Sequence, residues 1–167
     1  MIRLRLLSTL LLAAAALIGL AQASVVVPLD LDQMTDQADS ILVGTCNSKH
    51  SYWKDKKIWT DATFQVERRV KGNPSHPLVI RQLGGSVLKP VPLAMKVSGL
   101  SEFEIGETAL LFMKRRPDGA GAIVGLSQGH VRLTREPRTG KWTSPNGRFL
   151  DDLLSRIENR LKESAQR

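Results

Sequence analysis

Between Ile58 and Gly72 the chain alternates, with Ile58, Ala62, Phe64, Val66 and Val70 apolar and Asp61, Thr63, Gln65, Glu67, Arg69 and Lys71 polar. Successive side chains of a strand point to opposite faces, so this period of two predicts a long ribbon with one face in a core and the other in water. Trp59 is the apolar exception on the outer face. Arg68 interrupts the inner face, where a bulge would re-aim one side chain. Lys71-Gly72-Asn73-Pro74 then ends the strand.

The same reading extends along the chain. Leu31, Met34 and Ala38 recur at helical spacing and predict a short helix from Asp30 to Ala38, with Asp30 and Asp32 near its positive end. Ser40 to Cys46 is a continuous apolar run that fits a buried first strand continuing toward His50. Tyr52 to Trp59 has a polar middle between aromatic flanks and reads as a hairpin tip. Pro77 to Leu83 supplies a third strand. Pro90 and Pro92 restrict Ser86 to Ser98 to an edge strand or an ordered loop. Thr108 to Met113 is apolar on both parities, which suits a central strand, and Arg116 to Gly119 turns it back into Ala122 to Leu126. Val131 and Leu133 mark one more strand, and Glu136 to Gly140 a turn leading to Trp142. After the loop Ser144 to Gly147, a possible cap, the period changes. Leu150, Leu153, Leu154, Ile157 and Leu161 form one stripe of an amphipathic helix over residues 149–164, expected to pack on the sheet rather than on a partner or a membrane. Many short strands with regular turns predict a mainly β protein: a small, mostly antiparallel β-barrel between a short N-terminal and a longer C-terminal helix.

The first residues change the picture of compartment. Arg3 and Arg5 precede an apolar run from Leu6 to Ala21, and Ala21-Gln22-Ala23 is a small-x-small cleavage site, so residues 1–23 read as a signal peptide. The run is shorter than the ~20 residues that span a bilayer. Removal leaves residues 24–167 as one exported domain, periplasmic or secreted, with no transmembrane span expected in the mature chain. Cys46 is the one cysteine, so the domain must stand on its apolar core, and beside Ile41-Leu42-Val43 the thiol reads as a small buried hydrophobe. A net charge of +8 favours anionic partners and also serves plain solubility.

Candidate chemistry is sparse. Gly125-Leu126-Ser127-Gln128-Gly129 has the spacing of a nucleophile elbow, but that motif needs a strand before it and a helix after it, and His130 to Thr134 alternates like a strand. A glycine-flanked bend is the expectation, with a serine esterase the weaker alternative. Cys46 and His50 share a face if their strand runs straight, and folding could bring His76 and His130 to join them. No short ligand spacing is present, so no metal of its own and no cofactor are expected. Trp53 and Trp59 with Lys54, Lys56 and Lys57 combine aromatic surface and positive charge at the hairpin tip, suited to an anionic glycan, lipid or nucleic acid. The alternative is that the two tryptophans pair across the hairpin and shield its end. Nucleic acid is not an expected partner for an exported chain.

Three stretches resemble netrin-like domains, the barrel type found in tissue inhibitors of metalloproteinases: Ala38 to Gly44, Phe64 to Gly72, and Phe103 to Phe112 with its F-x-x-G-E strand entry. The resemblance implies an oligonucleotide/oligosaccharide-binding type barrel with flanking helices. In the inhibitor branch the mature N-terminus reads C-T-C-V-P, and its α-amine and first carbonyl chelate a protease zinc. Ser24-Val25-Val26-Val27-Pro28 is similar, keeping Val27 and Pro28 and replacing both cysteines, so the disulfides that hold that segment have no counterpart. The resemblance thus implies a non-catalytic binding module whose partner is a protein, such as an exported zinc metalloprotease, with Ser24, Val27 and Pro28 at the contact.

Overall fold

A computed structural model describes residues 27–166. The signal peptide expected over residues 1–23, and Ser24 itself, lie outside the described residues. The architecture is mainly β, as the alternation predicts, with a short helix before the sheet and a longer one after it. Helix α1 (Leu31–Gln37) opens on a capping box: Gln33 N–H donates to Asp30 Oδ1 at 2.8 Å, and Asp30 N–H donates to Gln33 Oε1 at 3.0 Å. Two of the orphan donors of the first turn are thereby satisfied reciprocally.

Nine strands follow: β1 (Ser40–Lys54), β2 (Lys57–Lys71), β3 (Leu78–Leu83), β4 (Gly85–Val87), β5 (Leu93–Met95), β6 (Thr108–Arg115), β7 (Gly121–Ile123), β8 (His130–Arg135) and β9 (Trp142–Thr143). Helix α2 (Leu150–Ala165) closes the chain. The main sheet runs β1-β2-β3-β7-β6-β8-β9, and β6 also pairs with β1, so the sequence of pairings returns to its start. β3 and β7 are parallel and meet through one residue pair, Ile80 and Gly121, which makes the sheet mixed rather than wholly antiparallel. The stretch expected as an edge strand or loop forms a separate two-stranded hairpin, β4 with β5. Its prolines Pro90 and Pro92 sit in the connection, where no ladder hydrogen bond is needed.

Two apolar cores share this sheet. One lies under the helices, where Met34 of α1 and Leu153 and Ile157 of α2 meet Ile41, Val43, Leu110 and Phe112. The other lies on the opposite face, with Leu42, Cys46, Phe64, Ile80 and Leu111. β6 contributes alternate residues to each, which is why its sequence is apolar on both parities. The stripe of α2 packs on α1 and the sheet, and Arg156–Asp32 at 3.2 Å and Arg160–Asp36 join the helices along their outer rims. Ser144 is not the cap of α2, whose N-cap is Phe149 without a side-chain bond. Its hydroxyl instead donates to the Arg148 carbonyl at 3.0 Å and closes the preceding loop. At Arg68 the ladder skips one residue, pairing Val43 with Arg68 and Gly44 with Val66. The extra residue turns Arg68 outward, where it meets Glu158 of α2 at 3.2 Å.

Candidate functional site

The described N-terminal segment packs Leu29 against the core under the helices and is hydrogen-bonded by one side chain, that of Gln128. Leu29 N–H donates to Gln128 Oε1 at 2.6 Å, and Gln128 Nε2 donates to the Val27 carbonyl at 3.1 Å. A primary amide offers a donor and an acceptor side by side, so Gln128 acts here as the edge of a neighbouring strand would. Gln128 is positioned by the turn between β7 and β8, in which Gly125 and Leu126 adopt φ of +61° and +67°. The positive φ of Gly125 favours glycine, and a Cβ there would stand 2.7 Å from Leu29 Cδ1, the mobile end of a side chain that can shift. Val27 is 70% exposed, Pro28 is exposed, and Leu126 in the same turn is 42% exposed.

That turn contains the G-x-S-x-G sequence. Ser127 is exposed, and β8 rather than a helix follows, so the strained strand-to-helix setting of a nucleophile elbow is missing. The sequence singled out the serine, whereas the structure gives the structural role to the next residue. Gln128 carried no local signal, because its partners lie 99 and 101 positions away.

The hairpin tip forms where the sequence placed it, with Asp55 and Lys56 at φ of +51° and +60° between the facing Lys54 and Lys57. Both central residues are left-handed, as in the two-residue turns that match strand twist. The register sets Trp53 opposite Ile58 and Tyr52 opposite Trp59, which puts the two tryptophans on opposite faces of the ribbon. They do not pair, nor do they share one binding surface. Trp53 is 40% exposed on the inner face near the rim. Trp59 lies on the outer face with the Arg116 guanidinium 5.2 Å from its ring centroid. Beside it, Arg81 holds Asp61 through two hydrogen bonds, at 2.8 and 2.6 Å, and reaches Asp118 at 3.1 Å. Lys54, Lys56 and Lys57 are exposed around the turn.

Cys46 and His50 also part company. An extra residue in β1 shifts the ladder between Cys46 and Ser48, so Cys46 faces the core while His50 faces outward, stacked on Tyr52 at 5.8 Å. Cys46 is fully buried and unpaired with another cysteine, and burial pushes its thiol pKa up, as expected of an inert core residue. Among the described residues no group of three His, Cys, Asp or Glu side chains is arranged to hold a metal ion.

His130 has a different partner, one the sequence did not suggest. Its Nε2 lies 3.0 Å from Glu107 Oε1, and Glu107 Oε2 lies 2.8 Å from Arg132. Both contacts are ionic in distance but lack hydrogen-bond alignment. Only 7% of the His130 side chain and 5% of the Glu107 side chain are exposed. Burial lowers the His130 pKa, and the attraction of Glu107 opposes that only in part. The Phe103 ring packs on the imidazole at 4.9 Å. The histidine and glutamate thus lie buried beside the Phe103 ring at the entry of β6.

No family model and no curated protein matches the chain. Among the described residues no helix is long and apolar enough to cross a membrane.

Proposed function

We propose that this protein is an exported, non-catalytic binding module that engages a protein partner along its N-terminal segment. The observation that carries this reading is the Gln128 clamp, which fixes Val27 to Leu29 while leaving Val27 and Pro28 outward. A segment held in one conformation loses little entropy on binding, so its contacts translate into affinity. The netrin-like resemblance narrows the partner to an exported zinc metalloprotease. Ser24, three residues upstream of Val27, would present its α-amine and carbonyl oxygen to the open position of the protease zinc. In this reading the glutamine amide performs the holding that disulfides perform in the inhibitor branch.

The test uses three proteins: the chain beginning at Ser24, the same chain with one residue added before it, and the Gln128→Ala variant. Inhibition of exported zinc metalloproteases is expected from the first and lost in the second. In the third it should be weaker by about tenfold, the equivalent of ~1.4 kcal/mol for the lost clamp. Undiminished inhibition by the extended chain overturns the chelation, and no inhibition by the first overturns the choice of partner.

A further inference from the structure

Above Ala62 the inner face of the β1–β2 ribbon continues as Thr60 and Ser51, and there an open groove of about 600 Å³ runs between the ribbon, β5 and the segment 100–105. Small-molecule sites typically occupy roughly 300–1,000 Å³. Gly84 and Gly85, at φ of +100° and +125°, carry the chain past its floor. A Cβ on Gly85 would come within 2.2 Å of Thr60 Oγ1 and 2.5 Å of Ser51 Oγ.

The chemistry of this floor can be counted. Thr60 donates its hydroxyl proton to the Gly84 carbonyl at 2.6 Å. The 2.8 Å contact between Ser51 and Thr60 must then use the proton of Ser51, which fixes the Ser51 oxygen as an acceptor. Gln82 donates one amide proton to the Ser101 carbonyl at 2.6 Å, and its second N–H and its carbonyl have no partner among the described residues. Lys49 donates to the Phe103 carbonyl at 2.5 Å and has two further protons to give. Ser101 is 4% exposed, and its hydroxyl has no partner among the described residues. A buried polar group left unmatched costs about 1–3 kcal/mol, so a native one calls for a partner.

Donors and acceptors therefore stand intermixed, which suits a ligand whose own groups do both, as hydroxyls do. Formal charge does not favour an anion: the lining carries two lysines, Lys49 and Lys96, and two glutamates, Glu102 and Glu104, with Lys96 paired to Glu102 at 2.5 Å at the mouth and Glu104 to Arg132 at 3.3 Å. One wall is apolar, formed by Met95, Val97 and Leu100. Trp53 stands on the same face as Ser51 at the rim. We propose that the groove binds a neutral, hydroxyl-rich ligand of sugar type, its hydroxyls meeting Ser51, Gln82 and Lys49 and its C–H face lying on the apolar wall. The Ser101 hydroxyl becomes a further partner when the groove is filled.

Titration of the isotope-labelled protein with glucose, N-acetylglucosamine and maltose, followed by amide chemical shifts, tests this. At least one of these sugars should give saturable shifts at Ser51, Gln82 and Ser101. Those shifts should vanish in Ala94→Trp, which fills the groove from the exposed surface of β5, and its own spectrum reports whether it is folded. They should persist in Gln128→Ala, so this site stands or falls apart from the N-terminal segment. Should Ala94→Trp not fold, Gln82→Met serves in its place. The absence of saturable shifts with all three sugars, shifts that survive blockage, or a response confined to a sulfated heparin disaccharide would each overturn the assignment.

Discussion

The two halves of β1 differ in almost everything except their backbone conformation. From Ser40 to Thr45 the strand is clasped between β2 and β6, and its residues are buried or nearly so. From Asn47 to Lys54 it pairs with β2 alone and forms an edge, with most residues exposed. The first half is SILVGT, apolar on both parities, because a core lies on each of its faces. The second is NSKHSYWK, and its lysines are the kind of residue that keeps an edge from pairing with other chains. One hairpin thus joins a stretch that supplies stability to one that presents chemistry, and the crossover is marked by the extra residue near Asn47.

The most severe challenge to this comparison is Leu42→Ala in the clasped half. Leu42 is fully buried, so the substitution should cost about 2–5 kcal/mol in chemical denaturation. A loss no larger than that of a surface change would show that the clasp is not where stability resides. A smaller effect is expected from the buried histidine on β8, beside the clasped half. His130 has a folded pKa below its ordinary value of 6.5, so the unfolded chain takes up its proton first. Its contribution is therefore fully present above the ordinary value and is lost as pH falls toward and through the folded one. The melting temperature of the wild type should drop more steeply between about pH 7 and pH 5 than that of His130→Gln. Parallel profiles would show that the pair with Glu107 carries no such linkage. Least of all should be seen in the edge half, where Trp53→Ala is expected to stay within ~0.5 kcal/mol of the wild type.

Much of the architecture was legible because it is written in local periodicity. The inner positions Ile58, Ala62 and Phe64 are buried, the stripe of α2 faces the core, and α1 runs from its cap at Asp30 as the spacing indicated. The candidate surfaces were harder to read, for three distinct reasons. The hairpin turn Asp55-Lys56 has no glycine or asparagine to mark its left-handed centre, so the register that separates Trp53 from Trp59 had no signal. The extra residue in β1 is invisible in a sequence, yet it sends Cys46 and His50 to different faces. The Gln128 clamp and the Glu107–His130 contact join distant segments, and no spacing rule reaches that far.

A circle of strands fastened at one rung has a natural place to come undone. β3 and β7 are joined by the single pair Ile80 and Gly121, while every other junction in the ring of pairings has at least three pairs. Thermal breathing should therefore start at this seam, uncovering the flanks of β3 and β7 while the clasp of β1 and β6 stays shut.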